Sequence, residues 1–386
     1  MVLGIINSGL FIDIVTLIAS PFIKPRKKIT PKKNYGLAII VPAFNEEINI
    51  ERCITSAFDQ TVKPEKVIII DDNSEDKTYE ISKSLQKKYK NLKITKQPQN
   101  KGKAYNITHV LKSESLPELT MILDADTILP NNFIEEMEKP FINDKIAIVT
   151  AKSFPIKHKN FFGKIIYNGS MFQYLFFAFR KKAQSIRNAV SVISGDSSVY
   201  RTSFLQEVGG LPQGTQTEDM DITWIALEKG YKVYFQGNAV ARSKDAGTFK
   251  GHWKQITRWY SGGFQCGYRH GRNLWKAKSL LFTTLIPFYF DSFVYAPSFL
   301  FLWMFVSYLP ALVIGFYLAD LIFTIIAMLV IDWKAIAWLP EVYLIKTIWS
   351  IAWLWAFVKT SAQYILFGKN SWAGTWSRSD FYKKKK

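Results

Sequence analysis

The chain has 386 residues, with 50 Lys and Arg against 31 Asp and Glu, 12 Trp and 29 Phe, enough for a full globular domain and a long apolar remainder. Its two cysteines, Cys53 and Cys266, lie far apart and match no metal spacing, so neither a disulfide framework nor a zinc site is implied. The basic excess gathers in KPRKKITPKK (24–33) and in the tail Lys383–Lys386, each beside apolar sequence; with no groove-reading motif present, this suits anionic lipid headgroups and argues against nucleic acid.

In chain order, Val2–Ile23 carries a single acid, Asp13, and is long enough for a hydrocarbon core, which takes roughly 20 residues. The basic cluster follows it, an order that disfavours a cleavable signal peptide. Residues 1–23 are therefore expected to be a transmembrane anchor, with 24–33 in the cytoplasm. Residues 34–250 read as an α/β domain. GLAIIVPAF (36–44), KVIIIDD (66–72), LKITKQ (92–97) and LTMILDAD (119–126) are short β-rich runs, alternating with amphipathic stretches at 49–59, 78–89 and 104–112. Strands alternating with helices predict a mostly parallel, Rossmann-like sheet.

In such a sheet ligands bind outside the carboxyl ends of the strands, and there this sequence places Asn45-Glu46, Asp71-Asp72, and Asp124 with Asp126. Asp, Asn and Ser also close turns and cap helices, so DDNSED alone marks a turn as readily as a site. LDADT is sharper: carboxylates at i and i+2 after a buried strand suit a hard divalent cation bridging to a diphosphate, and Mg²⁺ needs only one or two of them. Asn100–Lys103 offers a glycine-containing, lysine-bearing loop before a helix, usable for phosphate. QTEDMD (216–221) sets Glu218, Asp219 and Asp221 ahead of a helix expected from Ile222. Such acids either cap the helix or include a general base for a hydroxyl acceptor.

Residues 251–275 form a basic, aromatic, amphipathic stretch, GHWKQITRWYSGGFQCGYRH (251–270) being its heart, as an interfacial helix would. Two transmembrane helices are expected in 279–331, joined near Ser307–Pro310. Residues 335–367 are apolar but carry Glu341, Lys346, Lys359 and four tryptophans, and are expected to lie in the interface or re-enter. Residues 368–386 form a cytoplasmic tail.

The ordered set VPAFNEE (41–47), IIIDDNSEDKT (68–78), NKGKAYN (100–106), LDADT (123–127), SGDSSVYR (194–201), TED (217–219) and QITRW (255–259) resembles the inverting glycosyltransferases of family two. More narrowly it resembles the membrane-integrated hyaluronan, chitin, cellulose and poly-N-acetylglucosamine synthases, and WAGTWSR (372–378) resembles their tail element. The resemblance implies a GT-A fold, a nucleotide-sugar donor (UDP-GlcNAc or UDP-Glc foremost), Mg²⁺ or Mn²⁺, a growing polysaccharide as acceptor, and a multi-pass protein of the cell membrane whose active site is cytoplasmic. By position it assigns Glu46, Asp71, Asp72, Lys103 and Asp124 to the nucleotide, Asp126 to the metal and Asp219 to the catalytic base. Gln255, Arg258, Trp259, Thr375 and Arg378 go to the diphosphate and acceptor. RWYSGG departs from the family's common RWARG, and the apolar segments are fewer than in cellulose synthases. A polyprenyl-phosphate or glycolipid acceptor is therefore the alternative within enzymes, and a membrane-tethered Mg²⁺-binding receiver domain is the alternative outside them.

Overall fold

The computed structural model describes residues 8–20 and 35–368. The basic stretch 24–33, and Thr375, Arg378 and the terminal lysines with it, lie outside the described residues. Along the chain, α1 (Ser8–Ala19) precedes β1 (Leu37–Ala43), α2 (Ile50–Phe58), β2 (Lys66–Asp71), α3 (Thr78–Gln86), β3 (Leu92–Lys96), α4 (Lys103–Ser113) and β4 (Leu119–Leu123). Next come α5 (Phe133–Glu138), β5 (Ile146–Pro155), α6 (Phe161–Ile186), β6 (Ser197–Arg201), α7 (Thr202–Glu207), α8 (Glu218–Glu228) and β7 (Lys232–Ser243). Helices complete it: α9 (Phe249–His270), the one-turn α10 (Lys278–Leu280), α11 (Ile286–Phe301), α12 (Pro310–Asp332) and α13 (Leu339–Phe367). The described residues form two compact units, one from 35–154 and 192–244, the other from 8–20, 155–191 and 245–368.

The first unit holds a seven-stranded sheet of order β3-β2-β1-β4-β6-β5-β7. Parallel ladders join β3, β2, β1 and β4, while β6 runs antiparallel to β4 and to β5. The expected strands and helices between residues 36 and 126 all form, as β1–β4 and α2–α4. β1 (LAIIVPA) is buried along its whole length, as a central parallel strand with both faces covered must be. At the edge, β3 (LKITK) is mostly uncovered and carries lysines, which blunt an open strand edge. Because β1, β2 and β4 run the same way, Glu46, Asp71, Asp72, Asp124 and Asp126 all leave the sheet at one edge.

The second unit is helical, and α6 belongs to it. Residues 34–250, expected as one uninterrupted domain, are broken at Pro155–Ser191, where α6 packs with α1 and α13. Two features hold it there. Asp13 of α1, fully buried, accepts from Arg180 and, at 2.6 Å, from Arg187, both at the end of α6. Gly169 of α6 lets the backbones close: a Cβ there would stand 2.4 Å from the Glu341 carbonyl oxygen of α13. A second buried ion pair joins Lys346 of α13 to Asp320 of α12 at 2.7 Å, and Tyr295 and Tyr343 donate to the same carboxylate. Charges taken so far from water persist only when paired and hydrogen-bonded.

Among the described residues, two helical stretches are long and apolar enough to cross a membrane, Leu274–Phe305 and Pro310–Phe367, the second of 58 residues. The chain breaks between them at the expected place, before Pro310. Residues 335–367, expected at the interface, form chiefly the 29-residue α13, about 43 Å long at 1.5 Å per residue and so long enough to cross. The described α1 has 12 residues, about 18 Å against a core of about 30 Å, so that alone it is shorter than a span.

Candidate active site

At the carboxyl edge of the sheet the β1 and β2 loops are laced together. Asn45 and Asn73 adopt left-handed backbone (φ 55° and 64°). The Asn45 amide donates to Ser74 Oγ at 3.0 Å, and the Glu75 amide donates to Asn45 Oδ1 at 2.9 Å. Glu46 is buried, its amide donating to Thr78 Oγ1 at 2.7 Å and its carboxylate accepting from Asn49. Asp71 is wholly buried, and burial raises its carboxyl above the usual range. Asp72 takes one backbone N–H on each oxygen, Lys101 on Oδ1 and Gly102 on Oδ2, both at 2.8 Å. Its carboxylate thus shapes the NKGK loop and delivers Lys103 as the first residue of α4. Gly102 makes the turn possible with φ +83°, a left-handed conformation; a Cβ there would meet nothing, so conformation and not space calls for glycine.

Lys103 is the hub. Its Nζ lies 2.7 Å from Asp124 Oδ1 and 3.4 Å from Glu218 Oε1, and donates to the Gly195 carbonyl at 2.6 Å. The loops after β4, before β6 and before α8 therefore meet on one ammonium. Asp219 stands beside it: a Cβ on Gly195 would lie 3.1 Å from Asp219 Oδ2, so Gly195 keeps the space that this carboxylate uses. Buried Tyr200 of β6 registers the cluster, its hydroxyl pKa raised by burial first and then by Asp219, Glu218 and Asp124. Buried Cys53 registers the other side, its thiol pushed up by burial and by Asp126, Asp124 and Glu46.

α8 starts at Glu218, not near Ile222, so Glu218, Asp219 and Asp221 occupy its first turn. The helix N-terminus stabilises acids there, which extends the helix by one turn. Glu218 and Gly195 are the site members that sequence reasoning left without a role, although TED and SGD were both on view.

Asp126 is half-buried and shares the negative field at Cys53 with Asp124 and Glu46. Among the described residues no group of three or more His, Cys, Asp and Glu could hold a metal ion by itself. This donor set fits a Mg²⁺-like cation that takes one or two carboxylates and completes its shell with phosphate oxygens and water.

The other motif residues lie on α9, in the helical unit. Gln255, Arg258 and Trp259 share one face at i, i+3 and i+4. Gln255 Nε2 donates to Asp245 Oδ1 at 2.5 Å. Trp259 is partly buried, with Tyr174 and Trp349 perpendicular to it at 6.5 and 6.3 Å. Trp349 Nε1 in turn donates to His252 Nε2 at 3.0 Å. His252 is buried, and burial pushes its pKa down from 6.5 to about 4. The unfolded chain therefore binds the proton first, and stability is full above pH 6.5 and lost as pH falls toward 4. The total is on the order of 3 kcal/mol at about 1.36 kcal/mol per unit. Melting in detergent from pH 4.5 to 7.5 is expected to show this acid slope reduced in His252→Gln, which keeps an acceptor for Trp349; an unchanged slope would rule the assignment out.

Residues 38–209 match the family model described as Glycosyl transferase family 2. The chain carries a family 2 glycosyl transferase domain. It is 28% identical over 285 residues to a poly-beta-1,6-N-acetyl-D-glucosamine synthase of Staphylococcus epidermidis, covering 72% of this chain and 65% of that protein. The synthase of Staphylococcus aureus (strain COL) is 28% identical over 233 residues, covering 60% of this chain and 55% of that protein. The chain thus spans less than two thirds of the length of these relatives. A mannosyltransferase from Pyrobaculum calidifontis, solved with GDP-Man and Mn²⁺, superimposes with a TM-score of 0.66 at 16% identity, over 92% of this chain and 95% of that one. That likeness is one of fold, and the family 2 domain has the expected α/β, GT-A-like architecture. The family 2 match runs on through β5, β6 and α7, which the receiver-domain alternative does not account for.

Proposed function

We propose that this protein is a membrane hexosyltransferase that moves a sugar from a nucleotide sugar, UDP-GlcNAc or UDP-Glc, to a hydroxyl of a growing polysaccharide, inverting the anomeric carbon. The observation that carries the reading is the meeting of Lys103, Asp124, Glu218 and Asp219 at the carboxyl edge of the sheet; the resemblance to poly-N-acetylglucosamine synthases supports the acceptor class. Glu46, Asp71 and Asp72 line the nucleotide end, and Lys103 and Asp124 stand at the diphosphate. Asp219 takes the proton from the acceptor hydroxyl as its oxygen bonds to the anomeric carbon and the bond to the nucleoside diphosphate breaks. Asp126 would hold Mg²⁺ or Mn²⁺, which supplies positive charge for the departing diphosphate. Gln255, Arg258 and Trp259, with Thr375 and Arg378, serve the diphosphate and the acceptor. The two long apolar helical stretches support reading it as a multi-pass enzyme of the cell membrane, with the active site on the cytoplasmic side.

The test is a screen of UDP-, GDP- and CMP-sugars on purified membranes for nucleoside diphosphate release, with mass analysis of the product. UDP release and a product longer by one or more hexose units are expected, both abolished by excess EDTA and by Asp126→Ala. Full activity in EDTA would remove the metal from the mechanism. Failure of every sugar nucleotide to transfer would overturn the function, and a lipid-linked product would replace the polysaccharide acceptor.

A further inference from the structure

Asp245 lies between β7 and α9, outside every motif that marks the family 2 domain. Its carboxylate is shared: Oδ1 accepts from Gln255 Nε2 at 2.5 Å and Oδ2 from the Tyr174 hydroxyl at 2.9 Å. A carboxylate only accepts, so the Gln255 amide nitrogen must face it, and the choice between the two ends of the amide is settled by chemistry. The other end, Gln255 Oε1, is buried without a hydrogen-bond partner. An amide oxygen cannot bond to the oxygens of an ionised diphosphate, because both are acceptors. What it can take is a donor, and the saccharide hydroxyl is the donor that a sugar-transfer reaction supplies.

Tyr174 has a second duty. Its ring stands perpendicular to Trp259 (6.5 Å, 89°), and Trp349 does the same (6.3 Å, 83°). Each bracing ring is itself pinned by a hydrogen bond, Tyr174 on Asp245 and Trp349 on His252. A ring held beforehand loses less freedom when a sugar stacks on it.

We propose that Asp245 and Tyr174 are positioning residues that fix the Gln255 amide and the Trp259 ring, and that the amide so held recognises a hydroxyl of the acceptor saccharide. The inference rests on the glycosyltransferase reading and narrows Gln255 to the acceptor.

The experiment measures two reactions of the full-length enzyme in detergent: hydrolysis of the nucleotide sugar to water, and transfer to a short N-acetylglucosamine oligosaccharide at saturating donor. Asp245→Ala is expected to raise the oligosaccharide KM on the order of 10-fold, the size of one lost directed contact, with the donor KM in hydrolysis unchanged. Asp245→Asn keeps an oxygen for Gln255 Nε2 and is expected to recover most of the loss. Tyr174→Phe keeps the ring, loses the hydroxyl, and is expected to fall between Asp245→Asn and Asp245→Ala. Should Asp245→Ala fail to fold, the order of the other two against wild type carries the test. Equal effects on donor and acceptor KM, or an Asn variant no better than Ala, would overturn the positioning role while wild-type hydrolysis kept the enzyme reading intact. Absence of hydrolysis and transfer in the wild type would instead bring down the reading on which it rests.

Discussion

Asp219→Asn is expected to cut sugar transfer by on the order of 10² to 10⁴-fold, the usual weight of a general base, while UDP binding stays nearly unchanged. The change keeps the shape of the side chain. Asp219 Oδ1 accepts from the Met220 amide at 2.8 Å, and an asparagine oxygen can do the same. Gly195 leaves the second position uncrowded, at 3.1 Å from the nearest carboxylate oxygen to where a Cβ would stand. What disappears is the ability to take a proton from an attacking hydroxyl. Initial rates with UDP-GlcNAc, beside UDP affinity by calorimetry, separate these effects, and near-normal turnover would remove Asp219 from the base role.

Lys103→Met is expected to be the most damaging single change in the sheet unit, costing about 3 kcal/mol of stability, the low end for breaking a buried pair. The side chains of Lys103, Asp124 and Glu218 are only 14%, 10% and 23% exposed, so water relieves little of the repulsion left behind. The Gly195 carbonyl would lose its donor as well. Donor affinity is expected to fall together with stability. Adding Asp124→Asn to Lys103→Met is expected to restore much of the melting temperature but no activity, since it removes the repulsion and not the need for a cation beside the diphosphate. A Lys103→Met protein as stable as wild type, with normal UDP binding, would refute the hub.

The sheet and half of the site could be read from local signals. β1, β2 and β4 announce themselves as continuous apolar runs, and because parallel strands end at one edge, Glu46, Asp72 and Asp124 had to converge. Lys103 on Asp124 could not be read, because the contact depends on the turn that Asp72 imposes through the Lys101 and Gly102 amides. The α8 start was misplaced by one turn, since acids that precede a helix and acids that form its first turn look alike in sequence. α6 was the largest surprise. Its Lys164, Arg180, Lys181 and Lys182 make it resemble a solvated helix of the sheet domain, and only Asp13, 167 residues away from Arg180, reveals why an arginine can be buried there. The sequence resemblance named Gln255 and Trp259 but not Asp245 or Tyr174, which act through distant contacts and belong to no motif.

The interruption at α6 also orders events at the ribosome. β6 cannot join β4 until α6 has been made, because α6 lies between β5 and β6 in the chain. The partner of Gly169 on α13 is Glu341, and the roughly 170 residues between them take roughly 10–30 s to synthesise. Throughout that interval the α13-facing side of α6 lacks its partner. A shortened chain ending after β7, although it would contain every strand of the sheet, would carry α6 with its α13-facing side permanently bare and is expected to aggregate unless α6 is replaced by a short polar linker.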